Sequence, residues 1–293
     1  MRAFLVYLGY RTGSGKDLKK ILPISLAFEI TQSFFLIHDD IIDNSDLRRG
    51  KPTIHKIYAE KFGEEYGRSM AIVMGDVACI ELFELVNKSD FPQEVRSRCL
   101  EKLSEILLET AYGQLLDIEN SHTKPALAQI YQVADLKTAR YSFVAPMTIG
   151  AILAGATRYQ IKAINEFAGK VGLAFQIQDD ILGVFGSEKV LGKSILSDMR
   201  EGKNTILLYK ARKLVGARDL LTINRIWGNL RASADDLAKV SRIIARCGAR
   251  KWCEGENRRL VSLAKNQVKG ITGDEHLAQI LVELADYSVN REK

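Results

Sequence analysis

The 293-residue sequence is short of several things, and each shortage removes a class of protein. Five prolines and no low-complexity tract exclude collagen-like and linker-rich designs. Four cysteines, Cys79, Cys99, Cys247 and Cys253, form no CxxC pair and show no metal-ligand spacing. They read as ordinary thiols of a reducing compartment. The formal net charge of +6 is spread along the chain, with no run of five or six like charges and no aromatic interleaving. Nucleic acid is therefore not an expected partner. The longest apolar stretch, about 143–156, falls short of the ~20 residues a membrane span needs. The first eight residues turn polar too soon for a secretory leader. Strand-like alternation bounded by turn residues is nearly absent. The expectation is a cytoplasmic protein without a membrane span.

What the chain does have is apolar bulk, 46% of its residues, in helical rhythm. Leu26, Ile30, Phe34, Ile37 and Ile41 recur at steps of three and four, which predicts a long helix over 24–41. A second is expected from about Asp90, with Pro92 in its first turn, through Leu115. Thr123 and Pro125 announce another, running 127–156. Further helices are expected at 159–185, 204–215, 234–247, 255–268 and 274–289. No linker composition interrupts them, so a single all-α domain over 1–293 is expected.

One local pattern occurs twice. Phe35-Leu-Ile-His-Asp-Asp-Ile-Ile42 and Phe175-Gln-Ile-Gln-Asp-Asp-Ile-Leu182 agree at five of eight positions, 140 residues apart. Asp39, Asp40 and Asp43 form DDxxD, and on a helix Asp39 and Asp43 stack one turn apart with Cβ atoms ~6 Å from each other. Like charges so placed destabilise a helix unless a cation sits between them. Hard divalent cations such as Mg²⁺ want carboxylate and phosphate oxygens. A solvated acidic face would explain one such motif. Two on apolar helices, the second at Asp179 and Asp180, suggest opposed walls of a metal-lined cavity.

Cations follow each acidic segment: Arg48 and Arg49 after the first, Lys193 and Lys203 after the second, with Asp198 between. Guanidinium forks and ammonium point charges both suit phosphate oxygens, so the set fits a polyphosphate with bridging metals. Gly192-Lys193-Ser194 resembles the end of a P-loop, but that frame needs glycine where Ser187 stands, and no strand precedes it. His38 reads as a hydrogen-bonding neighbour of the carboxylates, because Mg²⁺ prefers oxygen.

In these residues the chain resembles the trans-isoprenyl diphosphate synthases, or polyprenyl synthetases. The matching pieces are 32–43 with 47–50, Lys137-Thr138, 175–180, Gly192-Lys193, Asp198 and Lys203, in order over nearly the whole chain. The resemblance implies antiparallel helices around a deep central cavity, a homodimer, and three Mg²⁺ per site for which Mn²⁺ substitutes. It implies head-to-tail condensation of an allylic diphosphate with isopentenyl diphosphate. Position by position, Asp39 and Asp43 would hold two metals and Asp179 the third, with Asp40, Asp180 and Asp198 supporting. Arg48, Lys137, Lys193 and Lys203 would hold the allylic diphosphate; Arg49, Gln32 and Arg2 would face isopentenyl diphosphate. The Lys137 carbonyl, the Thr138 hydroxyl and the Gln176 amide would face the developing allylic cation. Metals and cations stabilise the leaving group while fixed dipoles stabilise the cation in a dry site.

Two departures stand out. Gly183 replaces a third aspartate in the second motif, and the leading aspartates are expected to carry the coordination without it. The family usually begins this region Gly-Gly-Lys-x-x-Arg-Pro; Arg2 matches the arginine, so an N-terminal helix with the lysine is expected to be missing here. The rival readings are a class I terpene cyclase, whose second metal motif differs, and a non-catalytic subunit, which usually loses one aspartate motif. Product length rests on Phe35, one turn below Asp39, and Phe34 beside it. The two rings resemble the floor of farnesyl diphosphate synthases, whereas Gly183 points to geranylgeranyl diphosphate. Bulk blocks a chain directly, so farnesyl diphosphate is the expected main product, with geranylgeranyl diphosphate second.

Overall fold

The helices form where the apolar rhythm and the capping residues agree. In the computed structural model, which describes residues 1–186 and 197–291, the 24–41 rhythm becomes α2 (Leu18–Ile42), whose start is capped by Asp17 accepting from the Lys19 amide at 3.1 Å. Two compact units are built from these helices: Met1–Ser104 with Ala145–Ile161, and Glu105–Val144 with Lys162–Lys293.

The first unit holds α1 (Arg2–Thr12), α2, α3 (Ile54–Phe62), α4 (Glu64–Asn87), the beginning of α5 (Gln93–Ser121) and α7 (Ala145–Leu153). Leu5, Leu8, Ile24, Phe28, Leu82, Met147 and Ile149 are buried in it. Between α2 and α3 lies a two-stranded hairpin, β1 (Leu47–Arg48) and β2 (Lys51–Pro52), paired Leu47 to Pro52 and Arg48 to Lys51. Its turn residues Arg49 and Gly50 have φ of 54° and 75°, the two left-handed positions that a tight hairpin turn demands. The basic loop of the sequence is thus a shaped turn.

The second unit holds the rest of α5, α6 (Leu127–Ala134), a π-helical stretch (Asp135–Val144), most of α8 (Arg158–Phe185), and α9 (Ser197–Arg200) to α15. These last are α10 (Ile206–Leu214), α11 (Ala217–Ile226), α12 (Ala234–Arg246), α13 (Ala249–Lys265), α14 (Val268–Ile271) and α15 (Glu275–Asn290). Ser233 and Asp236 form a reciprocal cap at α12, and Asp274 accepts two amides at the start of α15. The core gathers Phe143, Ile164, Phe167, Val171, Ile177, Leu207, Ile223, Val240 and Leu281.

The all-α expectation is met, with three differences of detail. The single helix expected over 127–156 is three elements, because its middle is wound as a π-helix. The helix expected from Gly255 begins at Ala249, after the left-handed Gly248. Helices α1, α3, α4 and α11 are not among the expected helices; α1 and α4 carry no clear single apolar face in the sequence, whereas the short α3 and α11 do. In α4, Ile72, Val73, Val77 and Ile80 are exposed while Gly67 and Gly75 are buried, so periodicity cannot find it. The 143–156 run is too short to span a membrane, as expected, but α2 is long and apolar enough to do so by length and composition.

Candidate active site

The first acidic segment closes α2. Asp40 is 6% exposed, and Arg48 on β1 donates its Nε to Asp40 Oδ1 at 2.8 Å, with Nη2 on the same oxygen. Burial pushes the Asp40 carboxyl above the usual carboxylate range, and the Arg48 guanidinium offsets only part of that. Asp39, one residue earlier, is more open and lies 3.8 Å from Arg48 through Oδ2. Asp43 caps the helix, its amide donating to the Asp39 carbonyl at 2.8 Å. The hairpin is anchored by Thr53, whose hydroxyl donates to the Ser45 carbonyl at 2.8 Å. Arg49 at the turn is exposed; Arg2 on α1 and Gln32 on α2 are half-buried. His38 is spent on α4, its Nε2 donating to the Ile72 carbonyl at 3.1 Å. Phe34 and Phe35 lie ring to ring at 4.6 Å, and Phe34 meets the His38 ring edge-on at 5.1 Å.

The second segment lies inside α8. Asp180 is 7% exposed and accepts from Gln176 Nε2 at 2.9 Å and from the Ile206 amide at 3.3 Å. Gln176 in turn accepts the Thr138 hydroxyl at 2.8 Å. Thr138, Gln176, Asp180 and the start of α10 therefore form one hydrogen-bonded row. Asp179, beside Asp180, is 43% exposed at its side chain and pairs with Arg291. Lys137 donates to Asp117 at 2.7 Å, and Lys203 pairs with Glu201 at 2.9 Å. Lys193 lies outside the described residues.

The π-helical stretch explains the placing of Lys137 and Thr138. Such wider turns occur mostly as single-turn bulges inside α-helices and are frequent at functional sites. Glycines let its backbone come close: a Cβ on Gly113 would stand 2.7 Å from the Lys137 nitrogen, and one on Gly172 would stand 2.7 Å from the Ala139 Cα. No residue spacing in the sequence announces the stretch. Likewise Asp117 and Arg291, partners of Lys137 and Asp179, carry no local signal that links them to those positions.

Among the described residues no three His, Cys, Asp or Glu side chains gather into one ready-made metal cluster, so Asp39, Asp40 and Asp43 do not converge on a point. The donors are nonetheless the right kind. Mg²⁺ usually takes one or two carboxylates and completes its shell with phosphate oxygens and water. Half-open Asp39 and Asp179, each backed by a buried aspartate, fit that pattern.

A family model described as polyprenyl synthetase matches residues 1–244. The chain belongs to the polyprenyl synthetase family. A short chain isoprenyl diphosphate synthase of Methanocaldococcus jannaschii is 34% identical over 228 residues, 78% of this chain and 67% of that protein. The geranylfarnesyl diphosphate synthase of Aeropyrum pernix is 32% identical over 100% of this chain and 90% of its own length. A crystal structure of geranylgeranyl pyrophosphate synthase from Corynebacterium glutamicum, complexed with isoprenyl diphosphate and magnesium, matches with a TM-score of 0.93 at 30% identity. It covers 99% of this chain and 86% of that one. Polyprenyl synthetase membership agrees with the doubled aspartate motif and with the all-helical fold.

Proposed function

We propose that this polyprenyl synthetase is a trans-prenyltransferase that condenses isopentenyl diphosphate head-to-tail with dimethylallyl, geranyl and farnesyl diphosphates. The observation that carries the reading is the repeated aspartate pair: in both copies the leading acid is the more open and the trailing acid is buried against protein donors. When bound, Mg²⁺ ions, three per site with Mn²⁺ able to substitute, supply the positive charge that ionisation of the allylic diphosphate needs. Asp39, Asp43 and Asp179 are their leading ligands, and Asp40 and Asp180 hold those ligands in place. Arg48, Lys137, Lys193 and Lys203 bind the allylic diphosphate. Arg49, Gln32 and Arg2 bind isopentenyl diphosphate.

Thr138 and Gln176 present fixed dipoles to the developing cation, and the row of hydrogen bonds to Asp180 and Ile206 keeps them from reorienting. Phe34 and Phe35 limit the hydrocarbon, giving farnesyl diphosphate first and geranylgeranyl diphosphate second. The reading takes 1–293 as one functional domain, cytoplasmic and without a membrane span, working as a homodimer. Support for self-association is the exposed apolar row Leu108, Tyr112 and Leu115 on α5, spaced at four and three residues on one helix face.

The test is to incubate purified protein with Mg²⁺, isopentenyl diphosphate and each allylic primer in turn, and to size the dephosphorylated alcohols. Farnesol as the main product supports the reading. Hydrocarbons formed from farnesyl diphosphate alone would identify a cyclase, and no turnover with any primer would identify a non-catalytic subunit.

A further inference from the structure

The two aspartate pairs differ in which acid the protein's own cation holds. Arg48 grips the trailing Asp40, whereas Arg291 grips the leading Asp179. Arg291 directly follows α15 and is 7% exposed at its side chain. Its guanidinium pairs with Asp179 Oδ1, donates to the Phe175 carbonyl at 3.2 Å and lies 3.6 Å over the Phe175 ring. Its own carbonyl accepts from Gln178 Nε2 at 3.5 Å. Arg291 is thereby tied to one turn of α8.

A guanidinium and a divalent cation compete for one carboxylate, because like charges a few Å apart repel, the more so where the guanidinium side is buried. The guanidinium has somewhere else to go. A cavity of about 450 Å³ beside it is lined by Gln178, Asn257, Glu254, Arg250, Arg258 and Arg291 itself, among other residues, with Arg250 already paired to Glu254 at 2.8 Å. Asn257 is 2% exposed, and its Oδ1 is buried with no hydrogen-bond partner among the described residues. A buried acceptor left unmatched in a cavity that the Arg291 side chain also lines is an open berth, since leaving it unfilled costs free energy.

We propose that Arg291 is a resident counter-ion of Asp179 that a metal ion must displace toward Asn257, so that metal loading of the second aspartate pair is coupled to the position of the C-terminal end of α15. The inference rests on the metal-dependent reading above. Linkage makes the coupling reciprocal: whatever holds Arg291 on Asp179 weakens metal binding, and metal binding loosens the Arg291 tie.

Calorimetric titration of Mg²⁺ in the presence of inorganic diphosphate tests it, comparing the unaltered protein with Arg291→Gln and Arg291→Lys. Arg291→Gln, which drops the charge, is expected to bind Mg²⁺ about tenfold more tightly. Arg291→Lys, which keeps the charge, should stay within a few fold of the unaltered protein. In the unaltered protein, hydrogen exchange of the amides over 287–291 should quicken when Mg²⁺ and diphosphate are added. That readout needs no variant to fold. Equal or weaker Mg²⁺ binding by a folded Arg291→Gln, or exchange at 287–291 that slows or does not change, overturns the inference alone. No Mg²⁺ binding by any of the three proteins overturns both the inference and the metal-dependent reading beneath it.

Discussion

The end of α2 and the middle of α8 carry the same aspartate pair in different settings. At the end of α2 the supporting cation comes from eight residues away, on a hairpin whose turn is fixed by two left-handed residues. In α8 the support comes from far along the chain, from the Ile206 amide 26 residues on and Arg291 112 residues on. Despite that, the trailing acid is buried to nearly the same degree in both, 6% and 7% exposed. The comparison teaches that the two members of each pair have separate work. The trailing acid is tied into the protein in both copies, whereas the leading acid is the more open one and, on the proposed reading, the one that takes the ligand.

The largest effect should separate leading acids from trailing ones by activity. Asp39→Ala and Asp179→Ala are each expected to lower kcat by about 10³-fold, equivalent to roughly 4 kcal/mol of lost transition-state stabilisation. The melting temperature of Asp39→Ala should barely move, whereas Asp179→Ala also takes away the ion-pair partner of the buried Arg291 and should lose several degrees of Tm. Excess chelator should silence the unaltered enzyme. Radiolabelled isopentenyl diphosphate incorporation checks the first part and calorimetric melting the second. A leading-acid variant with near-normal turnover would break the division of roles.

Next in size are the trailing acids, read by stability. Asp40→Ala strands the part-buried Arg48 guanidinium, and Asp180→Ala strands the Ile206 amide and the Gln176 side chain. Each should cost about 2 kcal/mol and several degrees of Tm. Unchanged melting of both variants would show that these acids are not anchors.

The hairpin cation should act on binding. Arg49→Ala is expected to raise the KM for isopentenyl diphosphate about tenfold, as losing a charged hydrogen bond does, with a smaller change in kcat. A kcat defect without a KM change would place Arg49 at the leaving diphosphate instead. The product floor comes after it. Phe34→Ala with Phe35→Ala should lengthen the main product by one or more isoprene units, seen by chromatography of the alcohols, and should cost some stability through the cavity created. A double variant that stops at the unaltered length would remove the basis for the farnesyl assignment.

The smallest effect is a probe of the α8 anchor. Burial pushes the Cys253 thiol up to about 12, with the nearby Asp180 carboxylate adding to the rise. Only the thiolate reacts with alkylating reagents. Cys253 should therefore stay nearly unlabelled by iodoacetamide between pH 7 and 10, whereas an ordinary exposed thiol gains about tenfold per pH unit up to its pKa of ~8.5. Asp180→Ala should speed labelling of Cys253 if the anchor holds α8 in place. Mass spectrometry of the labelled peptides reads both.

What the sequence determined by itself was local. The 3.6-residue rhythm, the caps at Ser233 and Asp274, the doubled Asp-Asp pair and the arginines that follow it all lie within a few turns of chain, where spacing translates directly into geometry. Family membership followed from those same short pieces in order. Tertiary structure alone decided which aspartate of each pair is buried, because that depends on Arg48 folding back through a hairpin and on the Ile206 amide arriving from another helix. It decided that Lys137 and Thr138 sit on π-helical turns, packed where the backbone comes close at Gly113 and Gly172. It also decided that Arg291 answers Asp179 across 112 residues. Contacts between residues so far apart leave no period in one sequence, because their spacing is set by how the helices pack and not by the rise of any single helix.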